Sequence, residues 1–319
     1  VLALVGIVQK LNYEPADNLK EIFGIWDTPE PRYFYASFTY KNHWCAFALV
    51  SVYITLSLLN HNWRKYGTEC LRKIQTLLLF LSLCFTIVSI PLSGSRSGSL
   101  FLVLSIFIVI LFVLRSRKIK RLKIWFLYTT SSTVIICLLF LFVSKLHQAS
   151  QTEMITNLKT QVNGLKYGKS PLRILLWKDL CNQISQKPIF GFGFNSYSAV
   201  NPIYQSIEVR AMRSIVLSNA HHRFTPLIKY GHNDWLEKIS EFGLVGFLIS
   251  LPYLLKLFFI FTKSPSIISK ILIISAVVFL AYSIVDFPSQ TPVCLLIFST
   301  VIGLAAKYSY LSQKKFKLH

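Results

Sequence analysis

Apolar runs almost free of charge recur along the chain at about the length of a bilayer crossing: Trp44–Leu59, Ile74–Leu92, Leu100–Leu114, Ile124–Val143, Phe242–Phe261, Ile271–Val285 and Val293–Ala306. A hydrocarbon core of ~30 Å takes roughly 20 helical residues, because inside it only the helix's own hydrogen bonds satisfy the backbone. The pattern predicts an all-α polytopic membrane protein with about seven transmembrane helices. The opening VLALVGIVQKLNY has no basic leader and no cleavage site, and it reads as the end of a helix that starts further upstream, in a longer protein. The expected organisation is residues 1–43 as a helix end and first external segment, 44–143 as four spans and 144–241 as one long, partly helical external loop. Residues 242–306 would then hold three more spans and 307–319 a tail.

Inside the long loop, Ile174, Leu175, Trp177, Leu180, Cys181 and Ile184 recur at helical spacing after Ser170-Pro171. They predict a helix of about fifteen residues, stopped by Pro188. Gly191-Phe192-Gly193-Phe194 carries the GxG of a phosphate loop but no preceding strand, so a turn is the expectation. The stretch GHNDWLEKISEFGLVGF, Gly231–Phe247, places His232, Leu236, Ile239, Gly243 and Gly246 on one helical stripe. Asp234, Glu237 and Glu241 fall opposite, with Lys238, as a self-supporting polar face that Asp234 caps. His232 is then the sole ionisable group on the small-residue stripe, either a chemical group or a histidine packed at an interface.

Composition agrees with a membrane chain: 53% of residues are hydrophobic and 15% charged, against roughly a quarter charged in soluble domains. The net charge of +21 invites a nucleic-acid partner, but its distribution excludes one. Segments after the first, third, fifth and seventh runs hold Lys and Arg with a single acid, Glu69, and the densest cluster is RSRKIKRLK at Arg115–Lys123. Positive-inside bias accounts for this and puts those segments and the tail in the cytoplasm. The same alternation places SGSRSGS at Ser93–Ser99 and the long loop on the outer side. That loop is itself rich in basic residues, among them Arg173, Arg210, Arg213 and Arg223. Long translocated loops escape the charge rule, so the excess is either incidental or a site for an anionic substrate. Six cysteines, scattered over spans and loops, give no disulfide framework.

Arg96, among Gly and Ser at the outer end of a span, either snorkels or faces an anion, for which its fork is suited and its small neighbours leave room. Asp286, in YSIVDFPSQTP, pairs with an arginine, orients a histidine or caps the turn before Pro288. His221, His222 and His232 match no familiar zinc spacing, and no metal is expected. Glu237 and Glu241, one turn apart, read as a solvated face rather than an acid and base pair.

Taken in order, SRSGSL at Ser95–Leu100, HNDWLEKISEFGLVG at His232–Gly246 and VDFP at Val285–Pro288 resemble the O-antigen ligase and polymerase family of bacterial membrane glycosyltransferases. TYKNHWCAFAL around Asn42 and KPIFGFGFNSY after the loop helix fit as well. The resemblance implies a GT-C-like fold in the bacterial inner membrane, with its active site facing the periplasm. It also implies transfer of a glycan from an undecaprenyl-pyrophosphate carrier to a sugar hydroxyl, on lipid A core or on another lipid-linked glycan. By motif position, His232, Arg96 and Asp286 carry over as the catalytic set. Arg173 follows as the loop arginine, and Arg210, Arg213, Arg223 and Asn233 as substrate contacts. Such a donor brings its own leaving group, so arginines neutralise the departing charge and a histidine, ordinarily titrating near about 6.5, removes the acceptor proton. No cofactor is needed, and the sequence has no Asp-x-Asp pair for Mg²⁺. Two rivals remain: a transporter or channel for a small anion, which would carry charges at mid-membrane or inverted repeats, and a non-catalytic scaffold.

Overall fold

The computed structural model describes residues 1–11, 21–22, 26–27, 33–114, 172–213, 215–216, 223–224 and 226–317. Helices α1 (Leu2–Leu11), α2 (Lys41–Tyr66), α3 (Ile74–Leu92) and α4 (Arg96–Leu114) come first. After them come α5 (Leu172–Gln186), α6 (Tyr197–Tyr204), α7 (Ile207–Arg213), α8 (Asp234–Lys263), α9 (Ile267–Tyr282) and α10 (Pro292–Lys317). The described strands are two-residue ladders: β1 (Glu21–Ile22) with β2 (Trp26–Asp27), and β3 (Ile215–Val216) with β4 (Arg223–Phe224). The Ile124–Val143 run lies outside the described residues.

Among the described residues, four helical stretches are long and apolar enough to cross a membrane: Lys41–Arg72, Ile74–Leu92, Asp234–Lys263 and Pro292–Lys314. Arg96–Val109 and Ile267–Tyr282 are shorter apolar helices. The run read as Ile271–Val285 ends early, because α9 stops at Tyr282 and the next residues turn to give their carbonyls to other partners.

The chain forms two compact units. Val1–Met154, Ile260–Tyr282 and Thr291–His319 make the first, and Ile155–Phe259 with Ser283–Gln290 the second. In the first, α2 packs against α3, α4, α9 and α10. Its N-terminal turn buries Trp44, which stacks on Tyr35 at 4.9 Å and donates its indole N–H to Ser89 Oγ at 3.2 Å. Trp and Tyr suit such positions because a large apolar body is buried while one polar atom keeps a partner.

In the second unit the core is Leu176, Leu180, Tyr197, Val209 and Ile228, flanked by Leu172, Leu175, Ile184 and Leu236. The loop helix has its expected fifteen residues, but its inner face is offset from the expected stripe. Ile174 and Cys181 are exposed, and Leu172 and Leu176 take the inward places. Asp179 fixes the start of α7 by accepting from Ser206 N at 3.0 Å and Ser206 Oγ at 3.1 Å. Gln183 donates to Ser240 Oγ at 2.8 Å, which ties α5 to α8.

Candidate functional site

In the second unit the start of α8 is built from residues far apart in sequence. Asn233, not Asp234, caps the helix: its side-chain oxygen accepts from Leu236 N at 3.0 Å, while its carbonyl accepts from Glu237 N at 3.0 Å. Such a cap is worth about 1 kcal/mol. Asp234 opens the first turn, and its N–H is shared between the carbonyls of Ser283 at 2.9 Å and Asp286 at 3.2 Å. Its carboxylate accepts from Ser289 N at 2.9 Å. Glu237 reaches back to Gly231 N at 2.8 Å and receives Gln290 Nε2 at 2.7 Å. These bonds pin the loop 283–290 over the helix start.

The expected solvated acidic face is thereby corrected: Asp234, Glu237 and Glu241 are all buried. The loop 283–290 covers the first two, and Lys238 Nζ pairs with Glu241 at 2.8 Å. Carboxylates at a helix N-terminus also meet the positive end of its dipole, which favours them there.

His232 is correspondingly not part of a helical stripe. It precedes the helix in the left-handed region at φ +54°, and its ring lies edge-on to Phe287, centroids 4.9 Å apart. Phe287 is stacked in turn on Tyr230 at 4.6 Å. A non-glycine residue held in that region is a strained position, and such positions cluster at functional sites.

Asp286, next to Phe287, is fully buried and pairs with Arg173 from α5. Arg173 Nη2 lies 3.5 Å from Asp286 Oδ2, and Nη1 donates to the Val285 carbonyl at 2.8 Å. The other Asp286 oxygen accepts from Phe287 N at 3.0 Å. The Arg173 side chain is 38% exposed, so the pair lies at the edge of the unit and not in its core. The structure thus brings His232, Asn233, Asp286 and Arg173 together, with Asp286 paired to the arginine.

Arg210 and Arg213 sit on α7, where Arg210 donates to the Pro202 carbonyl at 2.9 Å. Arg213 lies near Tyr197, whose phenol is held well above its ordinary range by burial first, then by Glu237 and Asp179, with Arg213 acting in the opposite sense. The backbone of Arg223 lies in β4, while its side chain, like His221 and His222, is outside the described residues.

Arg96 belongs to the first unit and starts α4, half-buried. Ser95 Oγ accepts from Gly98 N at 3.1 Å, Ser97 Oγ meets Tyr282 Oη at 3.2 Å, and that hydroxyl donates to the Asn42 carbonyl at 3.2 Å. A Cβ on Gly98 would strike the Cys45 side chain. Most of the small residues around Arg96 are therefore consumed by capping and close helix packing. The open position is Gly94, at φ +73°, where an added Cβ would lie 3.5 Å from Lys41 Nζ. Lys41, from the TYKNHWCAFAL stretch, is a second cation at this turn that was not among the candidate site residues.

The profile of the O-antigen ligase family matches residues 77–251, more than half the chain, and takes in Arg96, Arg173, His232 and the start of α8. The chain belongs to the O-antigen ligase family. It is a multi-pass membrane protein, as that family and its apolar helices require. A protein of Haemophilus influenzae described as uncharacterized is 25% identical over 221 residues, 68% of this chain. The aligned part is 52% of that protein, so the chain spans about half the length of its relative. No solved structure matches this O-antigen ligase family member.

Proposed function

We propose that the chain forms the transfer part of an inner-membrane glycosyltransferase with about seven spans here and its active site on the periplasmic side. It moves a glycan from an undecaprenyl-pyrophosphate carrier to a sugar hydroxyl, on lipid A core or on another lipid-linked glycan. The observation that carries this reading is the clustering of an exposed-edge arginine, a buried aspartate and a strained histidine around one helix start.

In the proposed reaction the acceptor oxygen attacks the anomeric carbon as the bond to the pyrophosphate oxygen breaks, and direct attack inverts that carbon. His232 takes the hydroxyl proton. The electron pair leaves on the pyrophosphate, whose charge is met by Arg96 and Arg173, so no metal is called upon. Asp286 acts through Arg173, holding its fork in place. Arg210, Arg213, Arg223 and Asn233 are assigned to the glycan and its phosphates.

The test is restoration of surface polysaccharide in a host lacking its own ligase or polymerase, using the full-length protein at matched membrane levels. Wild type restores a polymer ladder or its attachment, whereas His232→Ala and Arg96→Ala each lower transfer by about 10²-fold or more, the range of a lost proton acceptor or anion-stabilising donor. Wild-type levels of transfer in His232→Ala would overturn the mechanism. Which product returns distinguishes ligase from polymerase.

A further inference from the structure

The turn Pro188–Asn195 carries an apolar surface that the transfer reading does not use. Ile189, Phe190 and Phe194 are 56%, 74% and 77% exposed. Single exposed apolar residues are ordinary. Three within six positions of a rigid turn, all open to the surroundings, are a surface.

The turn is fastened to the point where α8 becomes continuously apolar. Leu244 N donates to the Pro188 carbonyl at 2.8 Å and Val245 N to that of Ile189 at 3.1 Å. In the other direction, Phe192 N donates to the Ser240 carbonyl at 2.9 Å and Gly193 N to that of Glu241 at 2.9 Å. The exchange is possible because Gly243, at φ +65° and ψ −169°, opens the helix there and frees carbonyls and N–H groups for the turn. Beyond the kink, Leu244, Leu248 and Ile249 are exposed within the candidate membrane-crossing stretch Asp234–Lys263. The Phe194 ring lies 5.9 Å from that of Phe242, so the exposed surface runs on from turn to helix.

Lysines edge this surface. Lys187 Nζ lies 5.0 Å from the Phe192 ring, and Lys238 Nζ, paired with Glu241, lies 5.6 Å from that of Phe194 and 5.9 Å from that of Phe242. Aromatic rings with an ammonium at their edge are the composition of a membrane–water boundary, where the ring meets acyl chains and the ammonium meets phosphate.

We infer that this turn is a lipid-interface anchor: Ile189, Phe190 and Phe194 enter the upper acyl region of the leaflet that α8 crosses, with Lys187 and Lys238 at the level of the phospholipid phosphates. Its occupant is the bilayer itself, because the turn is bonded to α8 at the Gly243 kink, where the apolar, exposed part of that candidate membrane-crossing helix starts.

The experiment uses the full chain reconstituted in bilayers, with Phe190→Trp compared against wild type so that the added emission reports on that position alone. In bilayers of phospholipid brominated high on the acyl chain, the added emission is largely lost relative to unbrominated lipid, while aqueous acrylamide leaves it nearly unchanged. Quenching by acrylamide without quenching by brominated lipid would place the turn in water and overturn the inference. Protection from both quenchers would mean that protein, such as a second copy, covers it, which overturns it equally. Should Phe190→Trp fail to fold, Phe194→Trp reports on the same surface.

Discussion

At φ +54°, His232 holds a Cβ where it crowds the following carbonyl, a conformation that costs about 1–2 kcal/mol and that glycine escapes. His232→Gly is accordingly expected to unfold at a higher temperature than His232→Ala, with both lacking transfer activity. Thermal melts beside an activity assay separate the role of the imidazole from that of the backbone. Arg173 and Asp286 give a second test at this scale. Because both belong to one contact, the stability losses of Arg173→Ala and Asp286→Ala should not add; a double-mutant cycle by thermal unfolding should give a coupling of about 1 kcal/mol, toward the low side because Arg173 is part-exposed. His232 and Asp286 are legible in the sequence as ionisable groups beside apolar runs, and Arg173 through the family resemblance. The burial of Asp234 and Glu237 is not. Helical periodicity places side chains around one axis, and it is silent about a loop more than fifty residues away that covers the polar side.

Among the elements, α5 was predictable in length because its apolar spacing, its Ser-Pro start and Pro188 are all local signals. The kink in α8 was not, since Gly243 in a helical pattern reads equally as a small packing residue. Its meaning depends on Gly191: a Cβ on Gly243 would run into the Ile189 carbonyl, and one on Gly191 into the Glu241 carbonyl. Each glycine also has positive φ, so both the backbone region and the space exclude a side chain. Gly243→Ala and Gly191→Ala are each expected to destabilise by about 2–3 kcal/mol, through strain and loss of the backbone exchange. Gly193→Ala, which meets open space, bears the positive-φ cost alone and should lose less. Melting temperatures of the three variants in one detergent rank them directly.

At the scale of the whole molecule, the second unit is discontinuous: Ser283–Gln290 belongs with residues that precede α9. That segment supplies Asp286 for Arg173, the carbonyls that receive Asp234 N, and Gln290 for Glu237. A chain ended after Tyr282 is predicted to reach the membrane with no transfer activity and with heightened proteolysis at the start of α8, which limited digestion and peptide mapping would locate. In the order of synthesis this sets a rule. The ribosome delivers Arg173 first and His232 later, and both wait through α9 for the short segment that completes them. A nascent or prematurely terminated chain therefore lacks the segment that pairs with Arg173 and receives Asp234 N, and the start of α8 stays uncovered until translation has passed Gln290.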